Sequence, residues 1–125
     1  MINERFLVML NGKRFVTYEG LLYAAHEKGI VGIAADIIQY PAQENNMTAI
    51  ASATVTGKNE EVFSDVGDAS PASCSSKLVP HLIRMASTRA KARALRDFTN
   101  IGMCSIEELG DAEPVLRASP AQYAK

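Results

Sequence analysis

The first part of the chain alternates short apolar runs with turn residues. Two such runs within residues 5–17 flank Asn11-Gly12, a dipeptide that accepts the positive φ angles of a type I′ turn, so this pattern predicts a β-hairpin. Thr17 can then cap a helix over Tyr18–Lys28, in which Leu and Ala side chains recur on one side. Gly29 supplies a left-handed stop after that helix.

The middle of the chain carries the pattern of β-strands. Residues 30–41 are rich in β-branched side chains and close on a proline, which is typical of a strand and its exit. Residues 47–56 alternate apolar and hydroxyl side chains with a period close to two, and a Gly-Lys-Asn turn leads into a further strand over residues 60–67. Three antiparallel strands in a row form a meander, and one of its faces requires a covering element.

A long helix is predicted to provide that cover, over about Leu78 to Phe98. Pro80 suits its first turn, where the missing N–H does no harm, and Ser75 or Ser76 can serve as its N-cap. Asn100 and Gly102 favour its termination.

These elements predict an α+β fold of order β-β-α-β-β-β-α, in which an antiparallel three-stranded meander packs on a long C-terminal helix. The 125 residues, 47% of them hydrophobic, suit one globular core. We place a single domain at residues 1–104 and a short C-terminal extension at 105–125, expected to be flexible because it has two prolines and few large apolar residues. The segment IEELG within it is expected to make at most one turn.

Charge changes this picture at one place. The formal net charge is only −1, which argues against a generic polyanion binder, yet no acidic residue occurs between Asp68 and Asp97. The basic residues of this stretch lie mostly on the predicted long helix: Lys77, Arg84, Arg89, Lys91, Arg93 and Arg96. The sequence therefore predicts a local contact between a cationic helix and an anionic partner.

Helical geometry divides these basic residues into two groups. At 100° per residue, Arg89, Arg93 and Arg96 fall within about 60° of one another, whereas Arg84 and Lys91 lie roughly 140 to 160° from the centre of that stripe. Three arginines at one-turn spacing repel each other, and phosphate groups would offset the repulsion through bidentate hydrogen bonds. The alternatives are an ordinary solvated helix face, or arginines that pair across the fold with acidic side chains such as Glu60, Glu61, Asp65 or Asp68.

Further basic side chains stand at the two predicted tight turns. Lys13 and Arg14 follow the hairpin turn, and Lys58 lies in the turn between the second and third meander strands. Because turns project from a sheet, these residues could extend a basic groove, although lysines in turns more often serve only solubility.

Metal and catalytic chemistry have little support in the sequence. His26, His81, Cys74 and Cys104 show none of the close pairings of structural zinc sites, and we expect neither a metal nor another cofactor. Five carboxylates could converge on a divalent ion as in nucleases: Asp36, Glu60, Glu61, Asp65 and Asp68. No recognisable nucleophile or base accompanies them, so we expect no enzymatic activity.

Cellular location and aromatic contacts follow from the remaining residue types. The chain has two cysteines, and its start lacks the features of a signal peptide, so we expect a protein of the reducing cytoplasm. It has no apolar run long enough to span a membrane, so we expect no membrane contact. Tyr18, Tyr23 and Tyr40 are candidates for stacking on unpaired bases or for half-buried packing, whereas Phe63 and Phe98 are expected in the core.

Several short motifs resemble those of a known family. Tyr18-Glu19-Gly20, Asp65-Val66-Gly67 and Arg93-Ala94-Leu95-Arg96, the last followed by Phe98 and Asn100, resemble in order and spacing the DNA-binding core of the Rad-fifty-two-type single-strand annealing proteins, which include phage relatives. The resemblance implies a β-β-α-β-β-β-α core that assembles into rings, with single-stranded DNA in a basic groove outside. It implies DNA contacts for Arg93 and Arg96, and less directly for Lys13 and Arg14. Ala92 and Leu22 stand where this family typically has basic residues.

The resulting hypothesis is a non-catalytic, homo-oligomeric protein that binds single-stranded DNA in recombination or repair by single-strand annealing; the identity of any recombination partner stays open. The expected DNA contacts are Arg89, Arg93, Arg96, Lys91, Arg84, Lys77, Lys13 and Arg14. An assembly module whose basic helix bridges subunits is the main alternative. A small metal-dependent nuclease is a third.

Overall fold

The computed structural model describes residues 2–110, which fold into five strands and two α-helices. The chain order is β-β-α-β-β-β-α, with a two-stranded sheet and a separate antiparallel sheet of three strands that packs on the second helix. The predicted fold class is therefore confirmed. The elements are β1 (Leu7–Leu10), β2 (Lys13–Val16), α1 (Tyr18–Lys28), β3 (Ile30–Gln39), β4 (Ala49–Gly57), β5 (Val62–Ala69) and α2 (Leu82–Thr99).

The hairpin and the first helix form as their local signals predict. Asn11 and Gly12 have φ angles of 52° and 76°, as a type I′ turn requires, and β1 pairs with β2 in the corresponding register. The hydroxyl of Thr17 accepts a hydrogen bond from the Gly20 amide at 3.0 Å and so caps α1. Gly29 ends that helix in the left-handed conformation with φ of 99°.

The three-stranded sheet has β4 at its centre and buries one face against α2. Along β4 every second residue from Ala49 to Gly57 is buried, and the small side chains allow the helix backbone to come close. The closest approach is at Gly67 of β5, where an added Cβ would lie 2.4 Å from the Ala90 amide nitrogen of α2. The opposite face stays accessible: Ser52, Thr54 and Thr56 are only half-buried.

The long helix starts later than predicted. Ser76–His81 is a 3₁₀ helix that contains Pro80, and α2 begins only at Leu82. The backbone changes direction at His81, which has φ of −123° and ψ of 32°, and Ser75 makes no side-chain capping hydrogen bond. The C-terminal end agrees with the prediction, because Asn100 adopts the left-handed conformation with φ of 60°.

The chain after α2 returns to the hairpin. Ser105 forms a parallel bridge with Val16, and Ile106–Leu109 is a short 3₁₀ helix, consistent with the single turn expected there. Ile106 is 1% exposed and packs on Phe15. Residues 105–110, which the sequence places in a flexible extension, thus pack on the core, while residues 111–125 of that extension lie outside the described part. Within residues 2–110, neither helix has the length and apolar content to cross a bilayer.

Candidate nucleic-acid interface

Arg89, the first arginine of the predicted stripe, is a buried part of the fold. Its side chain extends between β5 and the segment after α2, and the residue is 6% exposed. Nε donates to the Glu108 carbonyl at 2.7 Å, and Nη1 donates to the Asp68 carbonyl at 2.8 Å. Ser73 accepts two more hydrogen bonds, one at its hydroxyl and one at its carbonyl. The guanidinium of Arg89 therefore faces protein acceptors and not solvent.

Arg96 pairs with a buried carboxylate that the sequence analysis did not consider. Its Nη2 lies 2.9 Å from Oε1 of Glu108, whose side chain is 3% exposed. The other carboxylate oxygen of Glu108 accepts a hydrogen bond from the Ser105 amide at 2.8 Å. A carboxylate so placed neutralises one arginine and fixes the turn that carries it.

Arg93 lies between these two arginines and is the most accessible of the three. Its side chain is 36% exposed, its Nε is 3.8 Å from Glu108, and its Nη1 donates to the Val66 carbonyl at 3.0 Å. Val66 and Asp68 are two residues apart on β5, so their carbonyls point the same way, and Arg93 and Arg89 cap both of them. The arginines thus satisfy acceptors along the outer edge of the sheet.

The three-arginine stripe is consequently mostly internal. The carboxylate of Glu108 pairs with the guanidiniums of both Arg93 and Arg96. Of the acidic residues predicted as possible partners, only Asp68 contacts one of the three arginines, and it does so through its backbone carbonyl. Arg89 and Arg96 are therefore held within the fold, but by other partners than those predicted carboxylates. Arg93 retains an exposed portion that an anion can reach.

The second basic group of α2 lies on an open groove of about 650 Å³. Arg84 is exposed and Lys91 is half-buried, and both line it together with His81, Ser87 and Thr88. None of the twelve lining residues is acidic. Among the described residues neither Arg84 nor Lys91 makes an ion pair, so their charges are available to an anionic ligand.

The other predicted contacts lie apart from this groove. Lys13 and Arg14 are exposed on β2, whose hairpin packs on the segment around Ile106, and neither lines the groove. Lys77 is exposed in the 3₁₀ helix that leads to α2 and has an interaction partner. Lys58 packs its aliphatic stem near Gly29, and its amide donates to the Gly29 carbonyl at 2.9 Å, which gives this turn a structural contact.

A second carboxylate after α2 holds the first helix. Oε1 of Glu107 accepts a hydrogen bond from the Tyr18 amide at 2.7 Å, at the N-terminus of α1. Burial raises the pKa of Glu107 above its ordinary value, although its hydrogen bonds oppose the shift. Burial also raises the pKa of Tyr18, helped by the Glu107 charge. This pair belongs to the packing of the fold.

Within the described residues, the candidate metal ligands do not form a cluster, and two of the candidate aromatic residues pack against each other. Among residues 2–110, no three His, Cys, Asp or Glu side chains converge as metal ligands would. Phe63 and Phe98 contact edge to face at 6.0 Å, and Phe98 is fully buried. Tyr23 contacts Phe6 at 5.3 Å, whereas Tyr40 is 65% exposed beside Pro41, a residue that lines the groove.

Glu108, the carboxylate beside Arg93 and Arg96, is not among the residues predicted for the site, although the sequence carries a signal for its position. Ser105-Ile106-Glu107-Glu108 has the S-x-x-E spacing of a capping box, which places a glutamate against the N-cap amide of a short helix. That motif predicts an ordered turn after α2, close to the arginines. The sequence matches no protein-family model and shows no significant match to a curated protein.

Proposed function

We propose that this protein binds single-stranded DNA without catalysing a reaction, and that it acts as a homo-oligomer of the single-strand annealing type. The groove beside Arg84 and Lys91 carries the proposal, because two cations without ion pairs line it and no acidic residue does. The resemblance of the Arg93-Ala94-Leu95-Arg96 motif to annealing proteins supports the same class of ligand.

In this proposal some basic residues of α2 stabilise the fold and others bind the ligand. Arg89 and Arg96 hold β5 and the segment after α2 in place, so they support the helix that presents the binding residues. Arg84, Lys91 and the exposed part of Arg93 contact phosphates. Because such contacts read the backbone, most bases of the bound strand stay free to pair with a complementary strand.

Salt dependence provides a quantitative expectation. Each phosphate that a cation neutralises on a single strand adds about 0.7 to the slope of log affinity against log salt. Removing the charges of Arg84 and Lys91 should therefore lower that slope by roughly 1.4 per bound subunit. A protein that held DNA through apolar contacts alone would lack this dependence.

The test is fluorescence anisotropy with a labelled single-stranded oligonucleotide at two salt concentrations. The parent is compared with Arg84→Gln/Lys91→Gln, and Arg5→Gln/Lys58→Gln serves as a control with the same change in net charge on residues outside the groove. We expect weaker binding and a smaller salt slope only for the groove variant. A parent that does not bind contradicts the proposed function, and a groove variant that binds like the parent contradicts the assignment of the site.

Subunit assembly is a second candidate function, and the accessible face of the sheet favours it. Val62 and Val66 of β5 point to that face and are 61% and 51% exposed. Apolar side chains exposed together are typical of protein contacts. Size-exclusion chromatography of a Val62→Ser/Val66→Ser variant distinguishes the two functions. If the variant no longer forms the oligomer of the parent, and the parent binds no DNA, the result favours assembly alone.

A further inference from the structure

The groove beside α2 has two walls of different chemistry. One wall belongs to α2 and carries Arg84, Thr88 and Lys91. The other comes from the end of β3 and the loop after it, and it carries Ile37, Pro41 and Met47. A ligand that consisted only of phosphate would use the first wall and leave the second without a partner.

The basic wall has a regular spacing. Arg84, Thr88 and Lys91 stand at i, i+4 and i+7, so they lie on one face of α2, and the two cations are about 10 Å apart along the helix axis. Each cation can therefore contact a different phosphate of an extended strand. Thr88 stands between them along the helix and also lines the groove, so its hydroxyl is a further possible donor to the same backbone.

The apolar wall stays accessible to solvent. Met47 of this wall is 42% exposed, and Ile83, an apolar residue of α2 that also lines the groove, is 40% exposed. The polarizable thioether of methionine packs well against flat aromatic rings, and a nucleobase offers such a ring. In a duplex the faces of the bases are covered by their neighbours in the stack, so only an unpaired base can present its face to this wall.

We infer that the groove is a nucleotide subsite, in which the flanking phosphates contact Arg84 and Lys91 while one unpaired base packs against Met47 and Ile83. The inference rests on the proposed binding of single-stranded DNA and adds how single strands are distinguished from duplexes. One base per subunit is held in the groove, and its neighbours stay exposed for pairing.

Oligonucleotides that lack bases test this inference directly. The parent is titrated with an oligothymidine and with an abasic oligonucleotide of equal length and charge. We expect about tenfold weaker binding of the abasic strand, because stacking of a base on protein side chains contributes on that scale. The same titration is repeated with Met47→Asn/Ile83→Asn, for which the difference between the two strands should shrink. Met47 has a positive φ of 54°, a conformation that asparagine accepts.

A matched control uses apolar residues outside the groove. Met9→Asn/Val31→Asn changes side chains that are 63% and 69% exposed, and it should retain the preference of the parent for the strand with bases. Circular dichroism confirms that each variant is folded. Equal binding of both strands by the parent overturns the inference but leaves the proposed function intact, whereas a parent that binds neither strand overturns the proposed function. A groove variant that weakens both strands equally also contradicts the base contact.

Discussion

Arg89 offers the sharpest test of how the basic residues of α2 are used. Replacing it with lysine conserves the charge but removes the guanidinium fork, which donates four hydrogen bonds to three separate parts of the chain. A single ammonium cannot reach all of these acceptors, because its three donors diverge from one atom. The Glu108 and Asp68 carbonyls would then compete for one donor group.

The magnitude follows from the acceptors left unpaired. A hydrogen bond to a charged group contributes about 1.5 to 3 kcal/mol, and much of its loss arises because the buried acceptor is left without a partner. With Arg89 only 6% exposed, little water can replace the lost donors. If lysine retains two of the four bonds, the two that are lost should lower the free energy of unfolding by at least about 3 kcal/mol. The midpoint of thermal unfolding should fall by roughly 15 °C.

Urea denaturation followed by far-UV circular dichroism measures this loss. Arg84→Lys is the matched control: it lies on the same helix, carries the same charge and is exposed, so its free energy of unfolding should change by less than about 0.5 kcal/mol. If Arg89→Lys were as stable as the parent but bound DNA more weakly, Arg89 would contact phosphate and the structural role argued for it would be refuted.

Three other residues give further predictions. Gly67→Ala would place a methyl group 2.4 Å from the Ala90 amide, so we expect a loss of about 2 to 3 kcal/mol in urea denaturation, and parent-like stability would contradict the close contact of α2 with β5. Burial raises the pKa of Glu107, so the folded protein binds a proton at this carboxyl more readily than the unfolded chain does. The free energy of unfolding should therefore fall as the pH rises from the ordinary pKa of 4.5 through the raised pKa, and Glu107→Gln should remove this dependence on pH. Burial and the nearby Glu108 charge raise the pKa of Cys104, so in a Cys74→Ser variant iodoacetamide should alkylate Cys104 more slowly in the folded protein than in urea, and equal rates would contradict its environment.

The order and the ends of most elements could be predicted because their signals are local. Asn11-Gly12 sets its own turn, Thr17 bonds to an amide three residues away, and Gly29 adopts a backbone conformation that needs no distant partner. Alternation along β4 works for a similar reason, since the pleat alone assigns each side chain to a face.

The start of α2 shows where local signals become ambiguous. Proline is accepted in the first turn of an α-helix because the amide there has no partner within the helix, and the same condition holds in a 3₁₀ turn. Pro80 therefore could not distinguish the two, and the chain forms a 3₁₀ helix up to His81 before α2 begins. The distinction depends on how the segment packs.

The same limit explains why the stripe of three arginines is not the accessible side of α2. A period of 3.6 residues places Arg89 and Arg93 on one face and Lys91 on another, but it does not say which face meets the rest of the chain. Here the stripe faces β5 and Glu108, and Glu108 follows Arg96 by twelve residues in a turn of its own. Repulsion within the stripe is real, yet an internal carboxylate and the carbonyls at a sheet edge offset it. Within residues 2–110, Arg84 and Lys91 are the basic residues of α2 that make neither an ion pair nor a side-chain hydrogen bond, and they are the ones that we propose bind the ligand.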